Sequence, residues 1–165
     1  MEKNVFNQLI TSLRQKLYRF ALAHTKRTDE AEDVVQEVVL KLWERRDELA
    51  EVKSVEAYAM TAVRNRCLDY DRSPHSKTDS LIETLDVAHE QTPYKNLEQK
   101  DMAAFARKLI DRLPELQQMV IRLRDIEEYE LDEIAEILQI NDNAVRTNLS
   151  RARQKIREEL LKERR

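Results

Sequence analysis

A chain of 165 residues is long enough for one ordinary domain or two small ones. It contains no glycine, so it has no cheap residue for positive backbone torsions, and tight hairpins and phosphate-cradling glycine loops are not expected. Its net charge of -3 does not advertise a polyanionic partner, so affinity for one has to come from how charge is distributed along the chain.

The expected fold class is all-α. Cys67 is the only cysteine, which excludes an internal disulfide framework and fits a reducing compartment. No apolar run is long enough to span a bilayer, and MEKNVFNQLI lacks the apolar core of a signal peptide. A cytoplasmic location without membrane insertion is expected.

From about Lys3 to His24, Phe6, Leu9, Leu13, Leu17, Phe20 and His24 recur at steps of three and four, with Ile10 and Ala21 widening the stripe, as in an amphipathic helix. Thr28 or Asp29 is the expected cap of the next helix, which runs to about Leu49 with Ala31, Val34, Val35, Val38 and Leu42 inward. Its other face mixes Asp33, Gln36, Glu37, Leu40 and Glu44, with Trp43 at the border. An acidic surface with apolar points suits a basic protein partner and repels nucleic acid. A solvated face whose bordering apolar residues complete the core fits the same composition.

Ser54 is the expected cap of a third helix, VEAYAMTAVRNRCLDYDR, in which Val55, Ala59, Ala62, Val63 and Tyr70 can face inward. Thr61, Arg64, Asn65 and Leu68 face outward and Tyr58 stands near the border. An aromatic beside amide and guanidinium groups supplies a stacking surface and donors for unpaired bases. Tyr58 also fits as a core residue. From Ser73 to about Lys95, two prolines and several Ser and Thr without sustained period read as a flexible linker, with one helical turn around Leu81 to Leu85.

Beyond it a helix from about Leu97 to Leu113 carries Met102, Phe105, Ala106, Leu109 and Leu113 on one stripe. Pro114 opens another, with Leu116, Met119, Val120 and Leu123 inward and Tyr129 at its end. Then Leu131, Ile134, Ala135 and Leu138 share a face, the helix stops near Gln139, and Asn141 caps a helix carrying Val145, Leu149, Ala152, Ile156 and Leu160. Two apolar-faced helices about three residues apart must cross sharply to bury both stripes, which is the helix-turn-helix geometry.

The opposite face of that last helix carries Thr147, Ser150, Arg151 and Gln154, flanked by Arg146, Arg153 and Arg157, side chains able to reach base edges and phosphates in a major groove. From Arg146 to Arg165 eight cations stand against three acids, a local excess of +5. Glu127, Glu128, Glu130, Asp132, Glu133 and Glu136 sit before or within the preceding helix, an asymmetry that would orient the pair on a polyanion. A charged face that is merely solvated is the bland alternative.

Taken together, DEAEDVVQEVVLKLW, AYAMTAVRNRCLDY and LPE…LRDIE…DEIAEIL.I…V…LSRAR.K, in this order, resemble the extracytoplasmic-function sigma factors of bacterial RNA polymerase over nearly the whole chain. The resemblance implies two small helical domains: residues 1–72 a sigma-two domain for core polymerase and minus-10 binding, 73–95 a linker, and 96–165 a sigma-four helix-turn-helix domain for minus-35 binding. Asp33, Gln36, Glu37 and Leu40 match the family's polymerase-binding surface. Asn65, with Arg64 beside it, matches the reader of the unpaired minus-10 strand, to which Tyr58 and Thr61 are adjacent candidates. Asn143, Arg146, Thr147, Asn148, Ser150, Arg151 and Arg153 match the minus-35 reader. Core RNA polymerase, promoter DNA and an anti-sigma factor are the implied partners.

The chain departs from relatives at Tyr58, where tryptophan is usual, near Tyr129, where a glycine is usual, and at Gln139, where the turn usually holds glycine. Either Gln139 is left-handed at a cost of roughly 1 kcal/mol or the turn is built differently. A self-sufficient helix-turn-helix regulator is the main rival reading. A DNA-acting enzyme is another, but no carboxylate cluster, metal-spaced histidines or activated nucleophile is visible, so no catalysis, cofactor or metal is expected.

Overall fold

The computed structural model of the protein describes residues 2–71 and 96–163, with side chains at 2–70 and 101–163. The expected linker, with its helical turn near Leu81 and both His75 and His89, lies outside the described residues. The chain divides into two compact units, Met1–Thr84 and Leu85–Arg165. Among the described residues there is no strand, and no helix is long and apolar enough to cross a membrane.

The first unit packs three helices against one another: α1 (Lys3–Thr25), α2 (Thr28–Glu44) and α3 (Val55–Asp71). The expected stripes of α1 and α2 form its core, with Leu13, Leu17, Phe20, Val34, Val38 and Leu42 all buried. α1 ends at Lys26, whose left-handed backbone (φ 62°) lets its N–H donate to Leu22 O at 2.8 Å. Neither Thr28 nor Asp29 caps α2. Arg27 holds the cap position without a side-chain bond, and Asp29 and Glu30 in the first turn complement the helix dipole instead.

α2 also stops earlier than the periodicity suggests. It ends at Glu44, and a single 3-10 turn at Glu48–Glu51 carries Leu49 back into the core. Trp43 packs edge-on against Phe6, ring centroids 5.1 Å apart, and the Arg46 guanidinium covers it at 4.1 Å. Ser54 caps α3, accepting the Ala57 N–H at 3.1 Å. The inward face of α3 is Ala57, Ala59, Met60, Val63 and Cys67, whereas Val55, Ala62 and Tyr70 are only half-buried. α3 contacts both α1 and α2, so its buried surface is wider than a single stripe.

The second unit contains α4 (Asn96–Asp111), α5 (Glu115–Ile121), α6 (Leu131–Leu138) and α7 (Asp142–Glu163). α7 runs against α4, α5 and α6. Its core is Leu109, Ile110, Leu113, Val120, Leu123, Ile134, Ile137, Leu138, Val145, Leu149 and Ala152. Met102, expected inward, is 63% exposed. Ile156 and Leu160 are half-buried, because α7 runs on beyond its shorter partners.

α5 continues into a π turn, Arg122–Ile126, closed by Glu127 N–H donating to Arg122 O at 3.0 Å. Glu128 (φ 63°) then turns left-handed and Tyr129 is buried, with Arg124 Nη1 bonding its carbonyl at 2.8 Å. A capping box between Glu130 and Glu133 starts α6. Gln139 ends it in the left-handed region (φ 56°, ψ 45°), and its side-chain amide donates to Glu136 O at 2.6 Å. The left-handed alternative for Gln139 is therefore the one adopted. Asn141 Oδ1 accepts the Ala144 N–H at 2.7 Å and opens α7 as expected.

Candidate functional site

At 3.6 residues per turn, Asp33, Gln36, Glu37 and Leu40 fall within an arc of about 100° on α2, opposite its buried stripe. Gln36 is exposed and Leu40 is 58% exposed, an unusual position for a leucine. The two carboxylates are engaged. Asp33 accepts the Tyr70 hydroxyl, and Glu37 accepts Arg66 Nε and, at 3.3 Å, Arg66 Nη2. The Arg66 guanidinium also lies 4.6 Å over the Tyr70 ring, and its bond to Glu37 holds it above the ordinary arginine range. Beside Gln36 and Leu40 a groove of about 360 Å³ opens, walled by Phe6, Val39 and Trp43 and edged by Lys3 and Arg14.

On α3, Tyr58, Thr61 and Asn65 share one strip and Arg64 stands at its edge, within an arc of about 120° at 3.6 residues per turn. Asn65 is exposed and its Oδ1 accepts Arg64 Nη1 at 3.4 Å. Arg64 Nε is buried without a partner among the described residues. The Thr61 hydroxyl donates to Ala57 O at 2.8 Å, so its proton stays on its own helix. Tyr58 is half-buried, and its hydroxyl is bonded by the Arg45 guanidinium, which that contact raises above its ordinary range. Tyr58 is thus both core border and accessible aromatic, between the two readings its position allowed.

On α7, Asn143, Arg146, Thr147, Ser150, Arg151 and Arg153 fall within an arc of about 160°, and Asn148 lies about 60° beyond it. All but Thr147 and Asn148 are exposed. Asn148 turns back on its own helix, donating from Nδ2 to Ala144 O at 2.7 Å. The local excess of positive charge is partly spent. Lys155 and Lys162 pair with Glu159 at 3.5 and 3.4 Å, and Arg153 makes a two-pronged pair with Asp125 at 2.6 and 3.1 Å. Among the described residues, Arg146, Arg151 and Arg157 have no such partner.

Sequence reasoning did not find Arg66, Tyr70, Arg45 or Asp125. A signal for the first two was present: Asp33 and Glu37 are four apart on α2, Arg66 and Tyr70 four apart on α3, and the contacts Asp33 to Tyr70 and Glu37 to Arg66 are the matched rungs of an antiparallel helix pair. Nothing in the pattern pointed to Asp125. Among the described residues no group of three or more His, Cys, Asp or Glu side chains could hold a metal ion.

The sequence matches the family description "Sigma-70 region 2" over residues 9–76 and "Sigma-70, region 4" over residues 106–156. It is 30% identical to the RNA polymerase sigma factor SigV of Bacillus subtilis (strain 168), covering 93% of this chain and 90% of that protein. The chain is an extracytoplasmic-function sigma factor. The ECF RNA polymerase sigma factor SigM of Mycobacterium tuberculosis (strain ATCC 35801 / TMC 107 / Erdman) is 21% identical, covering 94% of this chain and 76% of its own length. Among solved structures, the sigma factor RpoE from Bartonella quintana, in complex with the anti-sigma factor NepR, superposes with a TM-score of 0.71 at 25% identity, covering 97% of this chain and 98% of that one. The sigma factor described here binds core RNA polymerase and directs promoter recognition and transcription initiation. A self-sufficient helix-turn-helix regulator is not favoured by a match spanning both regions.

Proposed function

We propose a division of labour among the three surfaces of this sigma factor. Residues 1–72 act as the sigma-two domain, whose α2 face, Asp33, Gln36, Glu37 and Leu40, binds core polymerase. The α3 strip of Tyr58, Thr61, Arg64 and Asn65 captures unpaired minus-10 bases. Capture offsets an unstacking cost of a few kcal/mol per base, so strand opening needs no nucleotide hydrolysis. Residues 73–95 link this domain to a sigma-four domain, 96–165, in which α7 reads the minus-35 major groove through Asn143, Arg146, Thr147, Ser150 and Arg151. Asn148 and Arg153 lie at the margins of that face, each bonded within the fold. The protein has no catalytic chemistry of its own and works in the cytoplasm without cofactor or metal.

One observation carries the reading: the exposed apolar point Leu40 lies on an acid-bearing face, while three unpaired arginines, Arg146, Arg151 and Arg157, share the open face of a separate helix. The first suits protein and repels duplex. The second suits duplex. An anti-sigma factor, like the one that accompanies the Bartonella quintana relative, would regulate the chain by covering the polymerase-binding face. The test is reconstitution of the full chain with core polymerase on a promoter library. Start sites that appear only with the chain, and that share paired upstream and downstream elements, are expected. A polymerase that gains no start-site choice overturns the proposal.

A further inference from the structure

We propose that Asp125 limits the grip of the reading helix on DNA by holding Arg153 out of contact with duplex phosphate. The inference rests on α7 being the duplex-docking helix. Arg153 stands on the same arc as Arg146 and Ser150, so sequence position alone counts it as a phosphate contact. Its guanidinium is instead committed: Nη2 and Nε both donate to the Asp125 carboxylate, at 2.6 and 3.1 Å, across a separation of 28 residues. Two parallel charge-assisted bonds use the fork that a phosphate would otherwise take.

Asp125 is delivered there by the π turn, an insertion that widens the end of α5 just before the helix-turn-helix. The neighbouring cations on that turn have other duties. Arg122 bonds Asp111 at 2.6 Å, and Arg124 bonds the Tyr129 carbonyl and pairs with Glu130. A phosphate that took Arg153 would have to displace Asp125 and leave its carboxylate unpaired beside the duplex. Among the described residues of α7, the cations left for the backbone are Arg146, Arg151 and Arg157. Freed, Arg153 would add a contact that strengthens binding at every duplex alike, since phosphate carries no sequence.

The test is the salt dependence of duplex binding by the full chain, measured by anisotropy with a labelled random-sequence duplex as probe. Each phosphate neutralised contributes about 0.9 to the slope of log affinity against log salt. Asp125→Asn is expected to steepen that slope by about 0.9 and to tighten binding several-fold at low salt. Asp125→Glu should keep the original slope, and adding Arg153→Gln to Asp125→Asn should restore it. An unchanged slope in Asp125→Asn, with its helical circular dichroism intact, overturns the proposal. So does a shallower slope in Arg153→Gln alone, which would mean that Arg153 already sits on phosphate. The underlying reading fails separately: if Arg146→Ala with Arg151→Ala leaves affinity and slope untouched, or if no variant binds duplex, α7 is not the docking helix and the inference falls with it.

Discussion

The α2 face and the α7 face differ in how much of their charge is already used inside the fold. On α2 the Asp33 and Glu37 carboxylates are bonded to α3, and what stands open beside them is an amide, a leucine and one further carboxylate, Gln36, Leu40 and Glu44. On α7 half of the six described cations, Lys155, Lys162 and Arg153, are held by carboxylates and the other half face outward. The α2 face, acidic by composition, therefore keeps less open charge than its carboxylates suggest, while the α7 face keeps three unpaired cations. Polymerase binding should accordingly tolerate added salt better than duplex binding does.

The largest effect that would test this contrast is on polymerase affinity. Gln36→Ala with Glu37→Ala is expected to cost about 2 kcal/mol or more, as for residues at the centre of an interface, while α6 and α7 keep their fold. Titrating labelled variant into core polymerase measures it, and retained affinity would break the assignment of the α2 face. Next in size, Arg146→Ala or Arg151→Ala should weaken upstream promoter binding by about 1–3 kcal/mol if the arginine makes a bidentate base contact. Footprinting of the upstream element by reconstituted holoenzyme reads the loss. Unchanged occupancy in both variants would remove these residues from the reading face.

A smaller effect belongs to the turn that orients α7. Gln139 sits at φ 56° without being glycine. Gln139→Gly should be the more stable chain by about 0.5–1 kcal/mol, and Gln139→Val the less stable by about 1 kcal/mol or more, in urea unfolding followed by circular dichroism. A valine variant as stable as the parent would show that the turn does not need a left-handed residue.

Legibility in the sequence followed the range of the interactions involved. Ser54 and Asn141 were found as caps because a cap bonds a backbone N–H three residues away. α1, α6 and α7 are legible because each turns an apolar stripe inward, although that of α7 is fully buried only as far as Ala152. The end of α2 is not legible because Leu49 returns to the core through a separate turn, which a count of seven residues from Leu42 does not distinguish from two more turns of helix. The inward face of α3 differs from the one its periodicity predicts because two neighbours share it. Outward positions such as Gln36, Asn65, Arg146 and Arg151 were legible from polarity on a known helix. The bonds that decide which charges are free were not. Glu37 to Arg66 and Arg153 to Asp125 join residues 29 and 28 positions apart, and only the packing brings them together.

The smallest effect isolates the α2 side of the comparison. The Asp33 carboxylate that accepts the Tyr70 hydroxyl, helped by partial burial and the charge of Glu37 and opposed by Arg66, pushes Tyr70 up to about 12. Raised above its unfolded value, the phenol favours the folded state while it stays protonated. Its contribution is complete below about pH 10 and disappears as pH climbs toward 12, because the unfolded chain releases that proton first. Near-ultraviolet titration of tyrosinate should show one of the five tyrosines ionising well above the ordinary range. Asp33→Asn, which keeps an acceptor and removes the charge, should bring that step back down. If the late step survives in a chain that also carries Tyr18→Phe, which removes the other tyrosine raised by burial, Tyr70 is not bonded to Asp33, the carboxylate is free, and the α2 face carries more open charge than the contrast with α7 allows.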